Sequence, residues 1–196
     1  MKQAVEIEYK NLLTEEEYMK LKEIFFKDGA KPVTQENYYF DTEDHVLKKN
    51  QCALRIRIKE NHAEMTLKTP FEGHHKETTL VLGSENAKKM IKTGSFILPK
   101  DIISVLKEEN ISLDPHFFMT AELKTERLEA INPHSIIVLD KSYYSDQQDF
   151  ELEIESDSKA TGEVLFNQIL TDNAIPVRPT TNKIARAFEA RVKSDK

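Results

Sequence analysis

The 196-residue sequence contains only one cysteine, Cys52, and six scattered histidines. A single cysteine excludes an internal disulfide framework and is typical of the reducing cytoplasm, where we expect the protein to reside. One cysteine and dispersed histidines also lack the ligand spacing of a structural zinc cluster. The small disulfide-bonded and zinc-stabilised classes are therefore excluded.

Long apolar runs and an excess of basic residues are also missing. No apolar run approaches the ~20 residues that a membrane-spanning helix requires, and the first residues, with Lys2 and Glu6 among them, lack the apolar stretch of a signal peptide. The formal net charge is −6, whereas general nucleic-acid binding requires a basic exterior. We expect neither a membrane nor a nucleic acid as partner.

The chain also lacks internal repeats, low-complexity tracts and linkers. Hydrophobic residues make up 39% of the sequence, which is enough for a core. This length lies at the upper end of the usual single-domain size. We therefore expect one domain over residues 1–196, as a monomer or homodimer.

Alternating polarity and Gly or Pro punctuation predict a chain built mainly of short strands. The predicted strands are 3–10, 35–42, 53–60, 63–69, 76–82, 117–127, 134–140 and 148–155. The predicted helices run from Thr14 to about Lys27, from Ser84 to Gly94, over 99–109 and 158–172, and from Asn182 to about Val192. Thr14 and Glu17 have the spacing of a capping box, and Asn61-His62 separates two strands closely enough for a tight hairpin.

Four predicted strands carry an ionic face and an apolar face, because residues two apart point to the same side of a strand. The ionic faces are Glu6, Glu8 and Lys10; Arg55, Arg57 and Lys59; Glu64, Thr66 and Lys68; and Glu151, Glu153 and Glu155. An antiparallel sheet with one face in water explains such a pattern strand by strand. However, three glutamates on one strand repel each other unless cations offset them.

Eight antiparallel strands are enough to close a barrel whose interior holds a ligand. Basic strands that face such an interior would grip phosphate oxygens, and the acidic strands would hold a hard cation such as Mg²⁺. The pattern thus indicates a site for a polyanion and a metal ion. A solvated sheet face stays open as the alternative, as does a barrel for a hydrophobic ligand, which would require apolar side chains inside.

A series of motifs in this order resembles the CYTH domain family, also called triphosphate tunnel metalloenzymes. The motifs are Glu6-Ile7-Glu8-Tyr9-Lys10 (ExExK), Tyr39-Phe40-Asp41-Thr42, Leu54-Arg55-Ile56-Arg57, Thr66-Leu67-Lys68, Glu77, Thr125-Glu126-Arg127, Leu139-Asp140, Glu151-Leu152-Glu153-Ile154-Glu155 (ExExE), and Lys183 with Arg186, where Asn182 replaces the family's usual serine. The resemblance spans residues 5 to about 187 and is greatest to the YjbK-like subgroup of bacilli.

The resemblance implies an α+β fold, a closed eight-stranded antiparallel β-barrel or tunnel with flanking helices and inward ionic faces. It implies Mg²⁺ or Mn²⁺ as cofactor, held by Glu6, Glu8, Glu151 and Glu153, with Glu155 and Asp140 behind them. It implies phosphate binding by Lys10, Arg55, Arg57, Lys68, Arg127, Lys183 and Arg186. The residues expected to carry catalysis are Glu6, Glu8, Lys10, Arg57 and Lys68.

The resemblance implies hydrolysis of a small-molecule triphosphate. Phosphoryl transfer depends mainly on positioning and on neutralising negative charge, which these residues would provide. We favour inorganic triphosphate, with thiamine triphosphate and nucleotides as alternatives, since no adenine pocket is recognisable. A non-catalytic polyphosphate or nucleotide binder is a second hypothesis. A class IV adenylate cyclase is a third, although no His-Phe pair precedes Glu6. For His74 and His75 we expect a solvated turn.

Overall fold

The computed structural model describes residues 1–26, 29–60, 62–178 and 180–194, without the side chains of 191–194. The strands in these ranges are β1 (Lys2–Leu13), β2 (Val33–Asp41), β3 (Ala53–Lys59), β4 (His62–Phe71), β5 (His74–Leu82), β6 (Ser95–Ile97), β7 (His116–Asn132), β8 (Ser135–Tyr144) and β9 (Gln147–Ser156). The helices are α1 (Glu15–Phe25), α2 (Val46–Lys49), α3 (Ser84–Thr93), α4 (Lys100–Glu108), α5 (Lys159–Asp172) and α6 (Lys183–Ser194).

Eight of the strands form a closed barrel. Their order is β2-β3-β4-β5-β1-β9-β8-β7, and β2 also pairs with β7, so the sheet returns on itself. Every pairing is antiparallel, and the short β6 extends the sheet beyond β7. The predicted α+β fold with a closed eight-stranded antiparallel barrel and flanking helices is confirmed.

The core lies outside the barrel, between its wall and the helices. One cluster joins α1 and α5 to β8 and β9 through residues such as Leu21, Phe166 and Leu152. A second cluster packs α4 against β3 and β4, with Ile102 and Leu54 fully buried. Apolar side chains that alternate with the ionic ones therefore point outward, because helices cover that side. The ionic faces are left to line the interior.

The first helix begins as the sequence predicts. The Thr14 hydroxyl accepts a hydrogen bond from the Glu17 N–H, and the Glu17 carboxylate accepts one from the Thr14 N–H. The helix ends at Phe25, and the predicted end at Lys27 lies outside the described residues. Asn61 of the predicted hairpin lies outside them too, but β3 and β4 pair up to Lys59 and His62.

Two short elements are absent from the sequence prediction because each is too short to show a periodicity. Helix α2 has four residues, and the buried carboxylate of Asp41 accepts hydrogen bonds from the Leu47 and Lys48 N–H groups at its start. Strand β6 has three residues and pairs with the beginning of β7. Within the described ranges, the structure has no helix that is long and apolar enough to cross a membrane.

Gly162 allows α5 to approach the barrel wall closely. A Cβ atom at this position would lie 2.8 Å from Cε2 of Tyr9 on β1 and 2.9 Å from Cβ of Ser156 on β9. We expect Gly162→Ala to destabilise the protein by about 1–3 kcal/mol, the usual cost of overpacking, although alanine is the better helix former. Chemical denaturation measures this, with the exposed Gln168→Ala of the same helix as control. Unchanged or increased stability would contradict the close contact.

Glu17 connects the start of α1 to the segment that precedes α6. Its carboxylate accepts two hydrogen bonds from the Arg178 guanidinium, at 2.7 and 2.9 Å, besides capping α1. These bonds, from Arg178 above all, hold the pKa of Glu17 below its usual value.

A carboxyl group whose pKa is lower in the folded state stabilises the protein above its unfolded pKa, and the contribution disappears as the pH falls through the folded pKa. We expect Glu17→Gln to lower the unfolding free energy by about 1–2 kcal/mol at pH 7. The deficit should shrink progressively below about pH 4, the range of an unperturbed glutamate. Urea unfolding across pH measures it, with the exposed Glu16→Gln as control. A deficit independent of pH would refute the assignment.

Candidate functional site

The inward side chains of the barrel enclose a cavity of about 220 Å³, which we call the tunnel. All of its acidic, basic and histidine lining residues come from the alternating faces of the strands except Lys183 of α6. They are Glu6, Glu8, Lys10, Arg55, Arg57, Lys59, Lys68, His75, Glu77, Arg127, Glu129, Asp140, Glu153, Glu155 and Lys183. This ionic, enclosed lining argues against both alternatives left open by the sequence, namely a sheet with its ionic face in water and a barrel that holds a hydrophobic ligand.

Three carboxylates converge where β1 meets β9. The register pairs Glu8 with Glu155, and Lys10 with Glu153. Ligand oxygens of Glu8, Glu151 and Glu153 all lie within 4.8 Å of one another, and Glu151 is fully buried. We call these three residues the acidic group.

The acidic group fits a hard divalent cation. Carboxylate oxygens are the donors that Mg²⁺ and Mn²⁺ prefer. Glu151 Oε1 is buried and accepts no hydrogen bond from any described residue, and burial raises the pKa of this carboxyl group to about 7. The Lys183 ammonium group lies 3.3 Å from this oxygen without donating a hydrogen bond to it, so a metal ion at the convergence of the three acids would complete its coordination.

Lys183 and Arg127 neutralise the acids on β8 and β9. The Lys183 ammonium group contacts Glu153 and lies 2.9 Å from Asp140 Oδ2 and 3.3 Å from Glu151 Oε1. Burial opposes ionisation of Glu153, yet Lys183 and Arg127 together hold its pKa well below the usual range.

Arg127 forms a fork with Asp140, with nitrogen–oxygen distances of 2.8 and 2.7 Å. It also donates to Glu153 at 2.6 Å and to Glu155 at 3.3 Å. Burial nevertheless raises the pKa of Glu155 to about 7. Asp140 and Glu155 are thus already engaged by an arginine, beside the acidic group rather than within it.

Glu6 points to a different partner from Glu8. Its carboxylate accepts a 2.5 Å hydrogen bond from Lys68 Nζ, which also lies 3.0 Å from Glu77 and 4.0 Å from Glu8. Burial raises the pKa of Glu6, and Lys68 opposes that effect. Lys10 bridges Glu8, at 3.2 Å, and the side-chain oxygen of Asn182.

Arg55 and Arg57 form a cationic surface with few counter-charges. Arg57 donates to Asn37 Oδ1 at 2.8 Å, and its nearest carboxylate ion pair, with Glu64, is 4.0 Å long. Burial, Arg55 and Arg127 lower the pKa of Arg57 to about 9. The Nε atom of Arg55 is buried and has no hydrogen-bond partner among the described residues. Such crowded donors favour an incoming anion.

Arg186 lies behind the acidic group rather than in the tunnel lining. Its guanidinium contacts Glu151 and Asp149 and donates to Thr180 and to the Thr181 carbonyl. Arg186 therefore orients Glu151 from the outer side and fixes the start of α6.

The structure gathers the other residues of the predicted site around one tunnel, and adds several that the motifs do not assign. Asn37 and Gln35 lie outside the motifs, and Thr66 and Thr125 belong to motifs that gave them no role. All four are neutral, so no charge pattern identifies them. His75 lies half-buried on the tunnel wall instead of in the solvated turn that we expected. Burial and the neighbouring Lys68 lower its pKa. The sequence does contain a signal for this position, because His75 and Glu77 are two residues apart on β5 and therefore point to the same face of the strand.

Comparisons with known proteins identify relatives that match nearly the whole chain. The chain is 32% identical to a Bacillus subtilis protein named "Putative triphosphatase YjbK", over 99% of this chain and all of the relative. It is 33% identical to a Bacillus halodurans protein whose crystal structure is described as that of a "putative adenylate cyclase". The match has a TM-score of 0.85 and covers 96% of this chain and 100% of the other.

A more distant structure shares the fold. The Hippeastrum protein HpAC1, described as having a dominant triphosphatase activity, is 20% identical with a TM-score of 0.74, and the match covers 95% of each chain. The family description "CYTH domain" matches residues 4–188. Since this match spans nearly the whole sequence, the chain belongs to the CYTH domain family.

Proposed function

We propose that the protein is a metal-dependent triphosphatase that binds its substrate in the tunnel. The observation that carries the proposal is the juxtaposition of the acidic group with the sparsely neutralised arginines Arg55 and Arg57. One end of this arrangement suits a cation and the other suits a polyanion. The name of the Bacillus subtilis relative supports the same activity.

The basic side chains would hold the phosphate chain. Arg55 and Arg57 offer guanidinium groups that match phosphate oxygens bidentately, and Lys68 on the neighbouring β4 and Lys10 on β1 add point charges. Arg127 and Lys183 contribute positive charge while they hold the acids of β8 and β9 in place. Arg186 acts indirectly, through its contact with Glu151.

Glu8, Glu151 and Glu153 would hold Mg²⁺ or Mn²⁺, with Glu6, Asp140 and Glu155 nearby. A divalent ion there supplies positive charge that offsets the charge of the transferring phosphoryl group. The Glu151 oxygen that accepts no hydrogen bond from the described residues is an acceptor for such an ion or for a water molecule.

The chain itself contributes positioning and an enclosed electrostatic environment. Donors fixed on strands need little rearrangement as charge develops, and the barrel wall limits competition from bulk water. Arg57 is held by Asn37, and Lys68 by Glu6 and Glu77, so both cations are oriented before substrate arrives. The leaving phosphate oxygens would be neutralised by these side chains.

Inorganic triphosphate is the simplest substrate for this tunnel, with thiamine triphosphate and nucleotides as alternatives. A second candidate function is cyclisation of a nucleoside triphosphate, favoured by the description of the Bacillus halodurans relative. Detection of a cyclic nucleotide would distinguish it. A single domain over 1–196, a cytoplasmic location, a monomeric or homodimeric state and the absence of a nucleic-acid partner stay predictions.

The purified protein should release phosphate from inorganic triphosphate with Mg²⁺ or Mn²⁺. We expect Glu8→Gln and Glu151→Gln each to lower kcat/KM by about 100-fold or more, because several kcal/mol of charge stabilisation are at stake. Glu163→Gln, an exposed site on α5, is the control with the same chemical change. Turnover of the parent protein no higher than that of Glu8→Gln or Glu151→Gln, across metals and pH, would defeat the proposal. Tight binding without turnover would identify a binding module instead.

Metal binding can be tested without turnover. Mn²⁺ added to the substrate-free protein should lose its free-ion electron paramagnetic resonance signal as it binds, and excess Mg²⁺ should restore that signal by displacing the bound Mn²⁺. We expect Glu151→Gln to weaken Mn²⁺ binding at least tenfold, since changes even to outer partners of metal ligands cost about 10–100-fold. If Glu151→Gln binds Mn²⁺ as tightly as Glu163→Gln and the parent protein do, the acidic group is not the metal site.

A further inference from the structure

A chain of polar side chains lies behind the acidic group, between β9 and α6. Its members are Tyr144 at the end of β8, Asp149 on β9 and Arg186 on α6, and it ends at Glu151. The Tyr144 hydroxyl donates to Asp149 Oδ2, and Arg186 Nε donates to the same oxygen at 2.9 Å. Arg186 Nη2 then contacts Glu151 Oε2. Tyr144 is thus connected to Glu151 through two intermediate side chains.

Arg186 divides between two carboxylates the pair of nitrogens that Arg127 gives to one. Arg127 Nε and Nη2 form a fork with both oxygens of Asp140, at 2.8 and 2.7 Å. In Arg186 the same two nitrogens are split, with Nε on Asp149 and Nη2 on Glu151. Because only one oxygen of Glu151 is held in this way, the split contact fixes the carboxylate and leaves its other oxygen available for a metal ion.

The split arrangement needs a cause, since the fork is the geometry that arginine and a carboxylate frequently adopt. Asp149 Oδ1 is buried and accepts no hydrogen bond from the described residues. Rotation of this carboxylate into a fork with Arg186 would satisfy Oδ1, but it would take Nη2 away from Glu151. The Tyr144 hydroxyl opposes the rotation, because its hydrogen bond fixes Oδ2.

The Tyr144 hydroxyl is suited to this task. Its ring is 7% exposed and packs in one cluster with Leu123 and Ala187, so the hydroxyl has a fixed position. Burial and the hydrogen bond to Asp149 raise the pKa of Tyr144 to about 12. The phenol therefore keeps its proton at neutral pH and stays a hydrogen-bond donor.

The third side of the Arg186 guanidinium is engaged as well. Its Nη1 donates to Thr180 Oγ1 and to the Thr181 carbonyl, at 2.6 Å each. With Nε on Asp149 in both arrangements, only the acceptor of Nη2 distinguishes the split contact from the fork.

We propose that Tyr144 and Asp149 are positioning residues that keep Arg186 split between Asp149 and Glu151, and so hold Glu151 in the orientation that binds the metal ion. The inference rests on the metal site of the proposed function. It adds two residues that neither line the tunnel nor belong to the sequence motifs.

Tyr144→Phe tests the inference on the full-length protein, because it removes the hydroxyl and keeps the packed ring. Tyr143→Phe is the matched control. It makes the same change on the opposite face of β8, where the Tyr143 hydroxyl donates to Glu126 at 3.1 Å. The measured quantities are the Kd for Mn²⁺ of the substrate-free protein, from the free-ion electron paramagnetic resonance signal, and the free energy of unfolding in urea without metal.

We expect Tyr144→Phe to weaken Mn²⁺ binding about tenfold, the lower end of the effect of changing an outer partner of a metal ligand. Tyr143→Phe should leave the affinity unchanged. A role of the Tyr144 hydroxyl in stability alone would lower the free energy of unfolding and leave the Mn²⁺ affinity of the folded protein as it is. Equal or tighter Mn²⁺ binding by Tyr144→Phe overturns the inference.

A double-mutant cycle tests the route through Arg186. In an Arg186→Gln background no guanidinium is left to position, so Tyr144→Phe should not weaken Mn²⁺ binding further. Asp149→Asn provides the same test if Arg186→Gln does not fold, since Tyr144 then has no carboxylate to fix. An undiminished tenfold effect of Tyr144→Phe in these backgrounds would refute the route.

Failure of the proposed function gives a different result. The readout is metal affinity, so it decides the inference even if no triphosphate is hydrolysed. If the parent protein binds no Mn²⁺, or if Glu151→Gln binds it as tightly as the parent, the metal site itself is refuted and the positioning role falls with it. If Glu151→Gln weakens binding and Tyr144→Phe does not, only the positioning role is refuted.

Discussion

Neutralisation of buried carboxylates on β9 is the constraint on which the rest of the structure depends. Glu151 and Glu153 are buried, and an unpaired buried charge costs several kcal/mol. Arg127 from β7 and Lys183 from α6 supply the counter-charges. The barrel therefore closes around ion pairs that join its strands to its last helix. Its apolar packing is displaced to the outside, where helices cover the wall.

The distribution of these ion pairs separates two kinds of site within one cavity. Arg127 and Lys183 are surrounded by acids, whereas Arg55 and Arg57 are mainly beside other cations. Arg127, Arg55 and Arg57 have the same strand-alternation pattern, so the register between strands and the position of α6, which carries Lys183, decide which charges neutralise each other. The unequal neutralisation leaves one wall suited to an anion and the acidic group suited to a cation. A barrel with evenly paired charges would be stable but would have little affinity for either.

Much of this arrangement could be predicted because it follows from a period of two. The parity of Glu6, Glu8 and Lys10 and that of the β9 glutamates determine which side chains face inward, and the motif order identifies the family. The partners within the tunnel could not be predicted. Glu6 and Glu8 share a face, yet Glu6 pairs with Lys68 and Glu8 joins the β9 acids. That difference depends on strand stagger, which the sequence of one strand does not contain.

A cavity of about 470 Å³ beside the tunnel and under α6, the side chamber, shows the same limit of sequence-based prediction. Its walls come from β2, the four-residue α2 and α6, which are far apart in the chain. The position of α6 depends on Lys183 and Arg186, whose partners are the carboxylates of β9 and Asp149. The roof of an apolar pocket is thus held by ion pairs inside and beside the tunnel. A ligand that binds Glu151 and Glu153 competes with Arg186 and Lys183 for these carboxylates, and therefore acts on the contacts that hold α6. Electrostatics in the tunnel and the shape of the chamber are therefore one coupled property of the fold.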